Sequence, residues 1–146
     1  MLTEKLKYPC SFMGVTHIKA YRQIPGVRLA AVCDAARLPP DGDLSNVAGN
    51  IGAAEPLKLD YTQMRATRNF DDLLADPSLD LVDLCVPTAV HPKLAIAALK
   101  AGKHVVCEKP LARTAALARD IAAAAESAKG CFMPAMCIRF WPEYAW

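Results

Sequence analysis

The sequence predicts an α/β fold in which a doubly wound, mostly parallel sheet carries helices on both faces. Short apolar runs of strand length, such as Leu81–Val86, alternate with alanine- and leucine-rich segments of helical length, such as Leu94–Ala101. Glycine and proline separate many of these segments. Strands that alternate with helices in this way form parallel sheets covered by helices, which is why we expect this fold class.

One stretch places charged residues where a predicted strand ends. His104–Cys107 reads as a short apolar strand after the helix stop at Gly102, and Glu108, Lys109 and Pro110 follow it directly. In parallel α/β sheets, ligands bind beyond the carboxyl ends of the strands. Lys109 is therefore a candidate for proton transfer to a bound substrate. The alternative is a solvated Glu-Lys pair on the surface.

Three segments together resemble the glucose–fructose oxidoreductase/inositol dehydrogenase (Gfo/Idh/MocA) family. They are Ala101–Ala112, which resembles the family's AGKHV-EKPLA signature, Asp80–Thr88 with His91, and Phe12–Gly14 with His17, which leads to Val32–Asp34. The resemblance implies a Rossmann-like fold and hydride transfer with NAD(P) on a sugar, a polyol or a related hydroxy or carbonyl compound. It covers the chain from about residue 12 to its last residue.

The resemblance also implies a site. It assigns Lys109 the catalytic role, beside the nicotinamide and the reacting hydroxyl, where it acts by electrostatics and proton relay. Glu108 helps to set the strand end, and the turn at Pro87 and Thr88 lies against the nicotinamide ribose and the phosphates. The expected cofactor-binding residues are Ser11, Phe12, Met13, Gly14, Asp34, Arg37, Pro87, Thr88, His91, Glu108, Lys109 and Pro110.

The phosphate loop departs from the pattern of dinucleotide-binding folds. The first strand should be apolar and end in G-x-G-x-x-G, but the run Leu6–Tyr8 follows two charged residues and only Gly14 fits the glycine pattern. The first two glycines are replaced by Pro9, which has no N–H, and by Ser11, whose side chain enters the space that a phosphate needs. We therefore expect weakened cofactor binding.

Asp34 is the predicted determinant of cofactor choice. It closes the second predicted strand, Val27–Cys33, twenty residues after Gly14. At this spacing an acidic residue accepts hydrogen bonds from the adenosine ribose and repels a 2′-phosphate. The alternative is that Asp34 caps the next element. Arg37 lies close enough to offset the repulsion, so the expected cofactor is NAD, with NADP still open.

The other elements follow in order along the chain. We expect a helix over residues 15–23, a loop and a weak helix up to Pro56, a short strand at Met64–Arg68, a short helix at Asp71–Asp76, a helix from His91 to Gly102, a helix from the Thr114 cap to about Ala128, and a strand at Cys131–Cys137 interrupted by Pro134.

Composition narrows the class of protein. A chain of 146 residues fits one domain, and charged residues make up 22% with a net charge of +2, so neither nucleic acid nor an anionic membrane is an expected partner. No apolar run approaches bilayer length, and the N-terminus lacks a signal-peptide core, so we expect a cytoplasmic protein. The six cysteines form no CxxC pair, which favours reduced core thiols over a metal site or disulfides.

The last residues are expected to begin a second domain. In the resembling family Arg139–Tyr144 leads into a substrate domain, so we predict an NAD(P)-binding domain over residues 1–138 and the start of a truncated C-terminal domain over residues 139–146. Its aromatic residues would be exposed and prone to pairing, which leaves a homo-oligomer open. They are Phe140, Trp141, Tyr144 and Trp146.

The sequence thus predicts the cofactor-binding part of an oxidoreductase that acts on a small sugar or polyol once a second domain completes the site. A non-catalytic nucleotide-binding remnant, or an interaction partner of a full-length relative, is the alternative. A truncated product with a compromised fold and no function is a further one. The sequence does not identify the substrate or the direction of the reaction.

Overall fold

A computed structural model describes residues 11–36, 38–47 and 56–144 of the chain. The chain divides into two compact units, Met1–Leu79 (unit 1) and Asp80–Trp146 (unit 2). The predicted first strand at Leu6–Tyr8, together with Pro9, Arg37 and Trp146, lies outside the described residues. The same holds for most of the weak helix expected before Pro56.

The described residues of unit 1 form two helices and two short strands. Helix α1 spans Phe12–Tyr21, β1 spans Ala31–Cys33, β2 spans Arg65–Thr67 and α2 spans Phe70–Leu74. Strands β1 and β2 pair in parallel, with Val32 opposite Ala66. Parallel pairing agrees with the predicted fold class.

Two elements of unit 1 differ from the prediction. Helix α1 begins at Phe12 rather than Val15, because the Ser11 hydroxyl accepts the Gly14 N–H at 3.2 Å and caps the helix earlier. Strand β1 is shorter than the predicted Val27–Cys33. The Val27 N–H donates to the Ile24 carbonyl at 3.2 Å, so the start of this segment belongs to a turn and not to the sheet.

The core of unit 1 is built mainly from connecting segments. Val15 of α1 packs with Leu44, Leu57 and Leu59, and the three leucines lie outside the helices and strands. Backbone bonds hold the two connecting segments together: the Leu44 N–H donates to the Leu57 carbonyl at 2.8 Å, and the Leu59 N–H donates to the Gly42 carbonyl at 2.9 Å. The segments between β1 and β2 therefore supply much of this core.

Unit 2 contains a three-stranded parallel sheet. Its strands are β3 (Leu81–Leu84), β4 (His104–Glu108) and β5 (Phe132–Ala135), in the order β3–β4–β5. Helix α3 (His91–Lys100) connects β3 to β4, and helix α4 (Ala115–Glu126) connects β4 to β5. Short 3-10 helices cover Thr88–Val90, Cys137–Phe140 and Pro142–Tyr144. Parallel neighbours joined through helices are the arrangement that the alternating pattern predicted.

The core of unit 2 lies between its helices and its sheet. Helix α3 packs on α4 and on strands β3 and β4. Fully or almost fully buried side chains come from all four elements: Val82, Leu84, Ala95, Ala98, Leu99, Val105, Val106, Cys107 and Ile121. The small alanines of α3 leave room for close packing of its backbone.

Neighbouring residues account for several of the helix and strand ends in unit 2. The Thr114 hydroxyl accepts the Leu117 N–H at 3.3 Å and caps α4, as predicted. Gly102, with φ +79°, follows α3 in the left-handed conformation that glycine favours. Gly130, between α4 and β5, lies so close to Lys103 that a Cβ would overlap its carbonyl oxygen and stand 2.6 Å from its carbonyl carbon.

Two strands of unit 2 end earlier than predicted. Strand β3 stops at Leu84 rather than Val86, where the chain turns towards the 3-10 helix. Strand β5 stops at Ala135 and runs without interruption through Pro134, which lies opposite Cys107. In the described part of the chain β5 pairs on one side only, and proline is tolerated in an edge strand.

The described cysteines are all free. They are Cys33, Cys85, Cys107, Cys131 and Cys137. Cys107 is buried, but Cys131 and Cys137 are exposed, so the expectation of core thiols is wrong for these two. They flank the edge strand β5 and do not lie between sheet and helices.

Within residues 11–36, 38–47 and 56–144, no helix has the length and apolar character required to cross a membrane.

Candidate functional site

In unit 1 the predicted phosphate-binding residues form the start of helix α1. Phe12, Met13 and Gly14 occupy the first turn, and Ser11 precedes them as the N-cap. The first amides of a helix point away from it and, with the helix dipole, attract anions. Because the Ser11 hydroxyl accepts the Gly14 N–H at 3.2 Å, a phosphate at this helix end would compete with that bond.

Asp34 lies directly after β1, at its carboxyl end. Its backbone N–H donates to the Thr67 carbonyl at 3.0 Å, so it continues the pairing with β2. Its carboxylate Oδ1 accepts the Ala36 N–H at 2.7 Å, and the residue is only 1% exposed. This bond closes a local turn after β1, and no helix begins here in the described residues, so the capping alternative is not seen.

A polar network surrounds this end of unit 1. The Thr67 hydroxyl donates to Asp72 Oδ2 at 2.5 Å, and the Arg65 guanidinium lies 3.6 Å from the same oxygen. Burial, and then the charges of Asp34 and Asp72, raise the pKa of the Cys33 thiol to about 11. Asp34 and Asp72 therefore both act on the Cys33 thiol, while the Arg65 guanidinium offsets part of the charge of Asp72.

In unit 2 the predicted residues lie at the carboxyl ends of β3 and β4. The register places Leu84 of β3 opposite Cys107 of β4, so the segments that follow these residues leave the same edge of the sheet. Pro87 and Thr88 follow β3 and enter the 3-10 helix, while Lys109 follows β4. The structure thus brings the Pro87–Thr88 turn and Lys109 to one sheet edge, as the order of the elements predicted.

Glu108 and Lys109 have different environments. Glu108 is 7% exposed, and its carboxylate Oε2 accepts the backbone N–H of Lys109 at 2.8 Å. Lys109 itself is exposed, and the peptide bond between Lys109 and Pro110 is cis. The carboxylate therefore fixes the backbone at the strand end while the lysine side chain reaches solvent.

The buried thiol of Cys107 and the half-buried thiol of Cys85 are poor nucleophiles. Burial, followed by the charges of Asp83 and Glu108, raises the pKa of Cys107 to about 12. Burial also raises the pKa of Cys85 above its ordinary value, with a further contribution from Asp83. Since only the thiolate is reactive, neither thiol competes with Lys109 as a catalytic candidate.

His91 makes contacts within unit 2 that sequence reasoning missed. Its ring nitrogen Nε2 lies 2.8 Å from the Val86 carbonyl oxygen, and Nδ1 lies 3.0 Å from the Pro110 carbonyl oxygen. The residue is 1% exposed. The resemblance implied a cofactor-binding role for His91, but no local sequence signal indicates a contact with a residue nineteen positions away.

Each unit has groups of a kind that a dinucleotide needs. In unit 1 the N-terminus of α1 presents backbone amides and Asp34 a carboxylate, and in unit 2 the exposed Lys109 side chain follows β4. Asp34 is almost fully buried, so a hydroxyl group would reach its carboxylate only by displacing the groups that cover it. Arg37, the residue expected to moderate cofactor choice, lies outside the described residues.

Residues 10–136 match the Gfo/Idh/MocA family, described as an oxidoreductase family with an NAD-binding Rossmann fold. Levoglucosan dehydrogenase of Pseudarthrobacter phenanthrenivorans is 33% identical over 70% of this chain and 25% of its own length. D-apiose dehydrogenase of Paraburkholderia graminis is 34% identical over 82% of this chain and 28% of its own length. The chain thus spans about a quarter of the length of these relatives.

Solved structures of oxidoreductases also superpose on this chain. A Klebsiella pneumoniae protein classed as an oxidoreductase superposes with a TM-score of 0.70 at 29% identity, over 93% of this chain and 35% of that one. Levoglucosan dehydrogenase in complex with NADH and levoglucosan superposes with a TM-score of 0.53 at 36% identity, over 56% of this chain and 22% of that one.

Proposed function

We propose, because this chain belongs to the Gfo/Idh/MocA oxidoreductase family, that it is the cofactor-binding part of an NAD(P)-dependent enzyme acting on a sugar or polyol. One observation supports this most strongly. The Pro87–Thr88 turn and the exposed Lys109 follow neighbouring parallel strands at one sheet edge, inside the region that matches the family. The activity and the substrate class are part of this proposal, because the chain spans about a quarter of the length of its relatives.

We propose that unit 1 holds the adenosine end of the cofactor. The amides of Phe12 and Met13, in the first turn of α1, would donate to phosphate oxygens. Asp34 would accept hydrogen bonds from the adenosine ribose, and its negative charge would disfavour a 2′-phosphate, so NAD is preferred over NADP. Ser11 would weaken both cofactors by occupying the helix end.

We propose that unit 2 carries the reaction. NAD, when bound, supplies the acceptor or donor of a hydride. The Lys109 ammonium would stabilise negative charge on the substrate oxygen and relay its proton, while Glu108 holds the Lys109 backbone in place. The turn at Pro87 and Thr88 would contact the nicotinamide ribose.

We propose that residues 1–138 form the cofactor-binding domain and that residues 139–146 begin a substrate domain. Large apolar side chains near the end of the chain support this, since Phe140 is 76%, Trp141 52% and Tyr144 55% exposed, and a second domain would cover them. Self-association through the same surface would produce a homo-oligomer, which native mass measurement detects. The five cysteines of the described residues are free thiols, which supports a cytoplasmic location.

Asp34→Asn tests the cofactor assignment. The amide oxygen still accepts the Ala36 N–H, but the negative charge is lost. We expect NADH to bind about 10- to 100-fold more weakly, the effect of losing a charged hydrogen bond, and preference to shift towards NADPH. Titration calorimetry with both cofactors measures this. Asp71→Ala, at an exposed position in α2, is the matched control and should change neither affinity. Unchanged NADH binding in Asp34→Asn would refute the assignment.

Lys109→Met tests the catalytic assignment in a fusion of this chain with the C-terminal domain of levoglucosan dehydrogenase. Turnover of a panel of sugars and polyols is followed by nicotinamide absorbance. We expect a loss of about 10²-fold or more in kcat, since an electrostatic and proton-transferring group is removed, with NADH affinity retained. Lys100→Met, exposed at the end of α3, should leave kcat unchanged. A Lys109→Met fusion that keeps full kcat contradicts the role.

A further inference from the structure

We propose that His91 is a positioning residue that holds together the two turns on which the reaction depends. This inference rests on the proposed function. The His91 ring contacts the Val86 carbonyl, one residue before Pro87, and the Pro110 carbonyl, one residue after Lys109. Each contact is therefore adjacent to a residue assigned to the nicotinamide end of the site.

The chemistry of the ring suits this role. Carbonyl oxygens only accept hydrogen bonds, so a ring nitrogen that carries a hydrogen can donate to the oxygen it faces, and the two nitrogens point away from each other on a rigid frame. Which nitrogen donates depends on the tautomer of the ring. Distances of 2.8 Å to the Val86 oxygen and 3.0 Å to the Pro110 oxygen are those of well-formed hydrogen bonds.

The backbone of His91 strengthens the contact with the first turn. Its N–H donates to the Thr88 carbonyl, and the residue begins helix α3. Pro92 and Ala95 of the same helix are buried, so α3 is anchored in the core of unit 2. His91 thus connects an anchored helix to the turn after β3 and, through its ring, to the turn after β4.

A purely structural role makes a different prediction from a positioning role. If His91 only stabilised unit 2, its loss would lower the free energy of unfolding, and a variant that stays folded would bind NADH and ADP as tightly as the wild type. If it sets the two turns, its loss affects the nicotinamide end, where Thr88 and Lys109 are assigned, and spares groups bound by unit 1. NADH and ADP distinguish these cases, because ADP carries the adenosine and two phosphates but no nicotinamide riboside.

The experiment compares His91→Asn, which keeps one side-chain N–H donor group, and His91→Ala in the 146-residue chain. In both variants we expect NADH to bind on the order of tenfold more weakly than in the wild-type chain, which is the effect of one lost hydrogen bond. The affinity for ADP should be unchanged. Backbone amide NMR signals of both Thr88 and Lys109 should shift. His104→Ala is the matched control, because its Nδ1 accepts the Cys131 N–H at 3.0 Å at the start of β4, away from both turns. It should leave the NADH-to-ADP affinity ratio unchanged.

NADH binding as tight as in the wild-type chain, an equal loss of NADH and ADP binding, or unshifted Thr88 and Lys109 signals in both variants, would overturn the positioning role. Failure of the wild-type chain to bind either nucleotide would refute the proposed function, while the amide signals would still decide whether His91 sets the turns. If neither variant folds, the wild-type ring is read directly by nitrogen NMR. A solvent-protected ring N–H supports the proposal, and a ring without one overturns it.

Discussion

The two units bury their apolar side chains in different ways. In unit 2, Leu99 of α3 and Ile121 of α4 are buried, and α3 packs on α4, β3 and β4, so regular elements enclose the core. In unit 1, Leu44, Leu57 and Leu59 lie in the segments between β1 and β2. Backbone ladders and helices fix the core of unit 2, whereas the core of unit 1 can adjust by moving its connecting segments. We therefore expect the same substitution to lower the free energy of unfolding by different amounts in the two units.

The candidate site reflects this difference. Lys109 follows β4, which is paired on both sides by β3 and β5. Asp34 follows the three-residue strand β1 and is held by its bonds to Thr67 and Ala36. Geometry for proton and hydride transfer must be kept to a fraction of an ångström, while ribose recognition tolerates more adjustment. Strand β4, the better-supported element, thus carries Lys109, the residue for which we propose the role with the stricter geometric requirement.

Removing one buried leucine from each unit gives the largest expected effect. Leu99 and Leu57 are both 2% exposed, so the removed atoms lose the same free energy of transfer from water to the core. The two sites differ only in how far the surrounding residues can relax into the cavity. We expect Leu99→Ala to lower the free energy of unfolding by about 4 kcal/mol and Leu57→Ala by about 2 kcal/mol, because the cost depends on how far the cavity collapses. Urea denaturation followed by circular dichroism measures both values.

The matched control is Leu117→Ala, the same change on α4 at a side chain that is 39% exposed. It should alter the free energy of unfolding by no more than about 0.5 kcal/mol. Equal losses for Leu99→Ala and Leu57→Ala would show that the connecting segments of unit 1 are as firmly held as the sheet of unit 2.

Thiol reactivity gives a smaller difference between the units. The pKa of Cys33 in unit 1 is raised to about 11 and that of Cys107 in unit 2 to about 12, in both cases mainly by burial. At mildly alkaline pH, iodoacetamide should modify the exposed Cys131 and Cys137 first, then Cys33, and Cys107 about tenfold more slowly than Cys33, as one pKa unit implies. Digestion and mass spectrometry at timed intervals give the four rates.

The same labelling in concentrated guanidinium is the control and should make the rates equal.

The raised pKa of Cys107 also makes the free energy of unfolding depend on pH in a defined way. Folded Cys107 keeps its proton above pH 9.0, where the unfolded thiol loses it, so its contribution is complete below pH 9.0 and declines as pH rises towards about 12. Labelling of Cys107 as fast as that of Cys131 would contradict the enclosed core of unit 2.

Most of unit 2 could be predicted from the sequence because its signals are local. The apolar run from Leu81, the Thr114 cap and the stop at Gly102 each depend on neighbouring residues, and they placed the strands and helices that position Lys109. The predicted NAD-binding Rossmann family was confirmed by the match over residues 10–136. The roles of Lys109 and the other site residues stay predictions.

The core of unit 1 could not be predicted because it depends on contacts between distant residues. Leu44, Leu57 and Leu59 show no helical or strand period, and they become core residues only through Val15 and the hydrogen bonds between their own segments. The role of His91 was missed for the same reason, since the Pro110 carbonyl is nineteen residues away. The sequence identifies the residue types of the site but not these partners.

Gly130 has a consequence for how far this sequence can change. Every amino acid except glycine carries a Cβ, and at this position that atom would overlap the Lys103 carbonyl oxygen, which is part of the backbone and cannot swing aside. The position therefore admits one residue type out of twenty for as long as the chain between α4 and β5 keeps its path. Any other residue type there requires the backbone of Lys103 or of the segment between α4 and β5 to move.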